Sequence, residues 1–513
     1  MSAVLAPQPP SLDEILGPQW RDLEWRLNNL YWIINEDGKA VRFNLNEEQS
    51  DFIRNLWPRN LILKARQLGF STLLEILELD QGLFNADHTG VVIADTLPNA
   101  GKLFGKVEFA YKNLPEALKA ALPIKALASK SALEFEHGST IAVGTSARGG
   151  TVQLLHVSEL GKIARKYPER AAEIVSGAFE AVPATGCIVV ESTAEGAAGE
   201  FYDLVEVALK RQAEGAPETP LDWRLHFYPW FKKSAYRLDP ALVIVSQADH
   251  AYFDKLQAML GVTIDAEQRA WYVKKRETQK RLMKREYPST PQEAFEQAIE
   301  GAVFGDEMTA IREAGRITTV PLDLNYPVNT FWDFGLGRRN PIWLHQRIGL
   351  QNRWFKYFDD FGKGLGWWWR TLEEYRHEHG DFQWGTHYLP HDADTEILGE
   401  SVETKRRILV AAGMRNEFVV PRVAIKSTGI DLMRAALPTD NWFDRVECAE
   451  GIKCLDGYQY EWNEKMGIWS RTPLGNWASH GADAWMQYAQ GYRDTGDVIA
   501  SAKKHKSRKK SWR

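Results

Sequence analysis

Lys64-Ala-Arg66-Gln-Leu-Gly69-Phe70-Ser71-Thr72 has the spacing of a phosphate-binding loop with its lysine displaced. The common pattern, GxxxxGKS/T, enters from a strand and leaves into a helix, so that backbone N–H groups at the helix N-terminus wrap the phosphates. Here lysine stands at the first glycine and Phe70 at the usual lysine. Gly69 permits close approach, Ser71 offers the hydroxyl that Mg²⁺ needs, and Thr72 follows it. The missing positive charge is expected from Lys64, folding across the loop mouth, or from Arg66.

Such a loop needs acids on neighbouring strands. Leu154-Leu-His156-Val-Ser158-Glu159 reads as a strand with a polar pair at its carboxyl end. Glu159 can polarise an attacking water, whereas Ser158 can hold a metal-bound water but brings no charge. His156 reads as a core histidine. Cys187-Ile-Val-Val-Glu191-Ser192-Thr193-Ala194 is a strand ending in small hydroxyl residues, suited to sensing a γ-phosphate. Gln49, about fifteen residues before the loop, sits where adenine-reading glutamines stand in nucleic-acid motors. Arg148, in a Gly-flanked loop, could reach a neighbouring subunit's phosphate as an arginine finger.

A second set of acids follows. Asp333 lies within the apolar run NTFWDFGLG, where a charge is costly unless it binds something. Asp392 ends the apparent strand HYLPHDAD, with Asp394 as a less favoured competitor. Asp483 lies on a helix with His480 one turn earlier on the same face. Three carboxylates at one end of a sheet can hold two divalent cations roughly 4 Å apart, and hard oxygen ligands favour Mg²⁺ or Mn²⁺.

The elements that must position these residues are those of two α/β segments. The first domain spans 43–300: from about 43 to 205 short apolar strands alternate with helical stretches (Asn60–Lys64, Gly90–Asp95, Thr140–Gly144, Gln153–Ser158 and Cys187–Glu191, with a buried helix from Ser71 to about Leu83), and 206–300 is mixed, a lid or linker subdomain. A charge-rich helix, Ala266 to Glu286, carries seven Lys and Arg residues between Lys274 and Arg285 that read as a solvated face or a DNA path. Residues 1–42 read as a partly helical arm and 301–326 as a connector. Residues 327–495 open with strands Thr330–Leu336, Ile342–Ile348 and Trp354–Phe361, and 496–513 form a basic tail.

Composition sets outer bounds. The 513 residues suffice for two or three domains. The net charge is −5, yet the last thirteen residues carry seven Lys or Arg, leaving an acidic body of −12 and a tail suited to nucleic acid or an acidic surface. Three cysteines show no zinc spacing and fit a reducing compartment. No apolar run is long enough for a membrane span, and the first residues lack the pattern of a signal peptide. The 20 tryptophans, including Trp367-Trp368-Trp369, read mostly as core aromatics, with base stacking open to a few.

Taken together, KARQLGFST, LLHVSE and VVESTAEG resemble the ATPase half of the large terminase subunit of tailed bacteriophages. REYPSTPQEAF (285–295) is similar to a segment between the family's two halves, and SHGADA to its nuclease end motif, although Gly475-Asn476-Trp477 replaces the HDW that often precedes it. The resemblance spans about residues 43–490. It implies a P-loop (ASCE-type) parallel-sheet ATPase domain followed by an RNase H-like α/β nuclease domain. It also implies ATP and Mg²⁺ at Lys64, Gly69, Ser71 and Thr72, catalysis by Glu159, and coupling through Ser192 and Thr193. Two Mg²⁺ or Mn²⁺ would sit at Asp333, Asp392 and Asp483. The implied partners are double-stranded DNA, the portal protein of the procapsid and the small terminase subunit. The implied setting is the host cytoplasm, with a homo-oligomeric ring on the portal and the isolated chain's state, monomer included, left open. Rival readings are a helicase-like ATPase fused to a resolvase-like nuclease, and a non-catalytic DNA-binding scaffold with a degenerate loop.

Overall fold

The computed structural model describes residues 11–492 apart from 130, 148–149, 296–300, 335–338, 398–402, 424, 464–465 and 467. The chain divides into two compact units, Met1–Gln297 and Ala298–Arg513.

The first unit is built on an eight-stranded sheet. Its strands are β1 (Arg59–Lys64), β2 (Thr89–Ile93), β3 (Ile124–Ser129), β4 (Ala132–Phe135), β5 (Thr140–Gly144), β6 (Leu154–Ser158), β7 (Cys187–Ser192) and β8 (Arg224–Tyr228). The spatial order is β8-β1-β7-β6-β2-β5-β4-β3. The first six are mutually parallel, and β4 and β3 close the far edge antiparallel. One strand, β7, lies between the strand that feeds the loop and the strand that ends at Glu159, the order an ASCE-type unit requires. Buried on both faces, the central strands are continuous apolar runs rather than alternating ones. That is why they are legible as LILK, LLHVS and CIVVE.

Four helices frame the site: α1 (Glu47–Arg54), α2 (Phe70–Phe84), α3 (Leu97–Lys112) and α4 (Leu160–Lys166). Gly69, at φ 75°, begins α2 in the left-handed region that glycine tolerates. Helix α2 buries eleven of its fifteen residues, Glu75, Glu78 and Asp80 among them. The segment read as an N-terminal arm packs into this unit: Leu27, Leu30 and Tyr31 join its core, and Arg26 forms a buried ion pair with Asp80 at 2.7 Å. The helix expected over 266–286 breaks at Lys280, which takes φ 49°; α-helix runs over Ala266–Gln279 and resumes at Met283–Glu286. Several of its basic residues face acids of the same unit. Arg276 meets Asp249 at 2.6 Å, Lys274 meets Glu277, and Arg285 meets Glu195 and Glu286.

The second unit carries a seven-stranded sheet: β9 (Ile317–Thr318), β10 (Val328–Trp332), β11 (Ile342–Ile348), β12 (Gln351–Phe358), β13 (Trp384–Leu389), β14 (Glu417–Val419) and β15 (Asn441–Asp444). Its order is β9-β15-β12-β11-β10-β13-β14. Strands β10, β11 and β12 form an antiparallel meander, and β13 and β14 continue parallel beside β10. That succession is the RNase H-like order. Two helices matter for the site, α5 (Lys426–Ala436) and α6 (Trp477–Gly491), and the latter buries Trp485 against Trp354 at 5.5 Å between rings. The stretch read as a connector contributes Val303, Phe304, Met308 and Ile311 to this core. Trp368 and Trp369 are buried, which removes them from base stacking. No helix among the described residues is long and apolar enough to cross a membrane. The basic tail, 496–513, lies outside the described residues.

Candidate functional sites

The displaced lysine has a physical cause. Phe70 is fully buried, its ring 4.7 Å from that of Tyr228 and edge-on to Phe52. The first helical position after the loop is therefore a core position here, and an ammonium there would be stranded among aromatics. Lys64 supplies a cation from the end of β1. Its Nζ lies 3.1 Å from Glu191 Oε2, with the lysine side chain 8% exposed and the glutamate fully buried.

Glu191 is the hub that motif reading missed. Its Oε1 accepts from Ser71 Oγ at 2.5 Å and from Ser158 Oγ at 3.1 Å, and lies 3.5 Å from His156 Nε2. The opposite ring nitrogen, Nδ1, lies 3.1 Å from Glu75 Oε1. A chain of alternating charge thus runs Lys64–Glu191–His156–Glu75 beneath the loop. Burial alone would push the Glu191 pKa up, but Lys64 and His156 hold it well below the usual carboxylate range. Burial disfavours the His156 cation too, yet its two carboxylates raise it to about 9. For Lys64 burial is again opposed and outweighed by Glu191 and Glu159, and the net shift is upward. The sequence signal for Glu191 was an acid inside the apolar strand CIVVES, the same signal that marked Asp333. His156 is a core histidine, as read, but one bridging two acids.

The other expected residues separate into groups. Glu159 follows β6, precedes α4 and takes φ 61°, a strained value for a non-glycine residue. Its Oε2 pairs with Lys162 at 3.0 Å, and its N–H donates to the Glu191 carbonyl at 2.7 Å. Ser192 Oγ accepts from the Gly161 N–H at 3.1 Å, joining the end of β7 to α4, and Thr193 is buried beside it. Thr72 Oγ1 accepts from Lys106 Nζ at 3.1 Å. Gln49 is occupied in holding the loop. Its Nε2 donates to the Gly69 carbonyl at 3.0 Å and its Oε1 caps the Asn46 N–H, so the amide that was to read adenine is engaged. Arg66 is half exposed and pairs with Glu286, which draws the loop onto the REYPSTPQEAF segment rather than over the loop mouth. Arg148 lies outside the described residues.

In the second unit the structure brings two of the three expected acids together. Asp333 follows β10, and its Oδ2 lies 3.0 Å from His480 Nδ1 on α6. One turn along α6, Asp483 Oδ2 accepts from Lys426 Nζ of α5 at 2.9 Å, while its Oδ1 is buried without a hydrogen-bond partner. Burial, opposed by Lys426 and reinforced by the nearby Asp333, raises the Asp483 carboxyl to about 6. Hydrogen bonding to Asp333 raises the His480 pKa against its own desolvation. Asp392 is committed to a cation. Strand β13 ends at Leu389, Pro390 opens a short 3₁₀ turn, and that turn delivers Asp392 to Lys405, while Asp394 lies 3.7 Å from Arg406. Among the described residues no three His, Cys, Asp or Glu side chains gather closely enough to hold a metal. The acid the reading passed over is Asp359, just after β12. Its Oδ2 accepts from Tyr357 OH at 3.1 Å and from Arg339 at 3.0 Å, and its Oδ1 is buried without a hydrogen-bond partner. Its signal, an acid after the aromatic strand WFKYFDDF, was available.

The fold and the two sites define a chain with a P-loop unit and an RNase H-like unit in series. No family model and no curated protein matches it. Among solved structures it is similar to the HK97 bacteriophage large terminase, at 12% identity and a TM-score of 0.46, covering 92% of this chain and 100% of that one. It is similar to the ATPase domain of the Thermus phage P74-26 large terminase, at 15% identity and a TM-score of 0.32, covering 48% of this chain and 94% of that one. It is also similar to the nuclease domain of the P22 large terminase, at 12% identity and a TM-score of 0.26, covering 34% of this chain and 84% of that one. All three are large terminases of bacteriophages, the family whose motifs the sequence resembles.

Proposed function

We propose that this chain is a terminase large subunit: an ATP-driven motor that moves double-stranded DNA into a procapsid, and a metal-dependent endonuclease that cuts concatemeric viral DNA. The observation that carries the reading is the coexistence, in separate units and in this order, of a loop site centred on Lys64, Ser71 and Glu191 and an acid pair, Asp333 and Asp483, at the end of an RNase H-like sheet.

In the first unit, Gly69, Ser71 and Thr72 would receive the phosphates of ATP, and Ser71 would share its hydroxyl oxygen with Mg²⁺. Lys64 would exchange part of its attachment to Glu191 for phosphate oxygens. Glu159 would orient and polarise the attacking water from the strained turn after β6. Ser192, through its bond to the Gly161 N–H, would transmit the state of that turn to β7.

In the second unit, the donor set fits a divalent cation. Asp483 Oδ1 has no hydrogen-bond partner, and its carboxyl is driven toward the neutral form by burial and by Asp333, a penalty that a cation removes. Asp333 and Asp483 would be ligands for Mg²⁺ or Mn²⁺, and Asp392 would join by releasing Lys405. Bound there, the metal would supply an activated water and charge neutralisation at the scissile phosphodiester. DNA would be gripped mostly through phosphate, since a motor must pass any sequence. The portal protein, the small terminase subunit and a ring of copies on the portal follow as partners of this reading.

The test is phosphate release from ATP and Mn²⁺-dependent plasmid cleavage by the purified chain, then DNA protection in the presence of portal-bearing empty capsids. Protected DNA that depends on ATP supports the motor. ATP bound without turnover, even with DNA and capsids, supports the scaffold instead, a reading favoured by the closed Lys64–Glu191 pair.

A further inference from the structure

The loop's own cations are largely committed. Lys64 is held by Glu191 and Arg66 by Glu286, and position 70 is a core aromatic. A third cation reaches the same place from a different element. Lys106, in the third turn of α3, is part-buried and extends its Nζ to Thr72 Oγ1 at 3.1 Å, in the first turn of α2.

Among the described residues its charge has no carboxylate beside it. The Thr72 hydroxyl accepts a hydrogen bond from it, and among the described residues no carboxylate lies within ion-pair distance of it. The acids nearest in effect, Glu75 and Glu191, are already bridged by His156, and Glu191 is also taken by Lys64. Lys106 thus brings a positive charge, with a hydroxyl rather than a carboxylate beside it, to the N-terminal end of a fifteen-residue helix. A partly desolvated ammonium in that position is costly until an anion arrives. The hydrogen-bond inventory agrees: one of three ammonium protons goes to Thr72, leaving two, and Thr72, accepting from Lys106, keeps its own proton to donate.

We propose that Lys106 is a phosphate-binding residue of the nucleotide site, contributing from α3 the charge that other loops carry at position 70. It binds the polyphosphate of a nucleoside di- or triphosphate together with the Thr72 hydroxyl. This rests on the nucleotide-binding reading of the first unit, and the experiment separates the two. ATPγS and ADP are titrated calorimetrically, with Mg²⁺, into the full chain as wild type, Lys106→Met, Lys106→Arg and, as a control, Lys102→Met, an exposed lysine one turn earlier on α3. Melting temperatures without nucleotide are taken alongside.

Expected is a loss of affinity of about tenfold or more in Lys106→Met, the scale of one charge-assisted hydrogen bond, with part of it restored in Lys106→Arg and none lost in Lys102→Met. The nucleotide-free melting temperature of Lys106→Met should equal or exceed that of wild type, because the substitution removes an uncompensated charge. Wild-type affinity in Lys106→Met overturns the proposal and leaves the loop reading standing. So does an affinity loss matched by a lower nucleotide-free melting temperature, which marks Lys106 as a purely structural tie to Thr72. A wild-type chain that binds neither nucleotide overturns both.

Discussion

The two candidate sites place charge under opposite constraints. Beneath the loop, buried charges are closed into a chain, Lys64–Glu191–His156–Glu75, in which each ion has an oppositely charged neighbour within 3.5 Å. At the end of the second sheet, Asp483 has one oxygen on Lys426 and the other without a hydrogen-bond partner, and Asp359 likewise keeps a buried oxygen unfilled. Lys106 apart, the charges of the first site are paired before any ligand binds, and it would accept one mainly by exchanging partners. The second leaves carboxylate oxygens of Asp483 and Asp359 unfilled and would accept a ligand by being completed. A site of the first kind can be assembled and stable before ATP arrives, whereas one of the second kind gains stability from its metal.

That contrast can be broken most severely at its hub. Glu191→Ala leaves Lys64 and His156 buried without their shared counterion, and unfolding by denaturant should show a loss of about 4 kcal/mol. A loss below about 1 kcal/mol would mean the chain of charges is not closed in solution. A smaller effect follows from pH. The His156 pKa is raised to about 9 against an ordinary 6.5, so between those values the folded state holds a proton that the unfolded state has released. The stabilisation is fully present below pH 6.5 and is lost as pH rises through 9, on the order of 3 kcal/mol. Denaturant unfolding at pH 6, 8 and 9.5 should follow that slope in wild type and lose it in His156→Gln.

The second site is sharpened by metal. Mn²⁺ at about ten times its dissociation constant should stabilise the chain by about 1.4 kcal/mol, a gain that Asp483→Asn abolishes. No thermal shift in wild type would show that the acids bind nothing. The smallest effect is at the loop itself. Gly69→Ala places a Cβ 2.8 Å from Gln49 Nε2 at φ 75°, and should cost about 1 kcal/mol in unfolding free energy through backbone strain.

What the sequence disclosed depended on where each constraint lives. The buried parallel strands β1, β6 and β7 appear as mainly apolar stretches without alternation, and their observed ends fall within a residue of expectation. Loop residues were legible because glycine and hydroxyl residues at fixed spacing have few other uses. Side-chain commitments were not legible, because they depend on residues distant in the chain. Arg66 is taken by Glu286, Lys405 takes Asp392, and Lys106 meets Thr72 from another helix. The break at Lys280 was hidden as well, since a single positive φ leaves no mark on a charge-rich helical pattern. Glu191 was visible as an acid within an apolar strand and Asp359 as one just after an aromatic strand, but that signal was applied only to Asp333.

The central claim is that one chain holds two independent active sites. The direct test is to measure ATP hydrolysis and Mn²⁺-dependent plasmid cleavage side by side in Lys64→Ala and Asp333→Asn, each checked for wild-type folding. The account predicts that Lys64→Ala loses hydrolysis and keeps cleavage, while Asp333→Asn keeps hydrolysis and loses cleavage by about a hundredfold or more. Retention of both activities in either folded variant, or their joint loss, would contradict it.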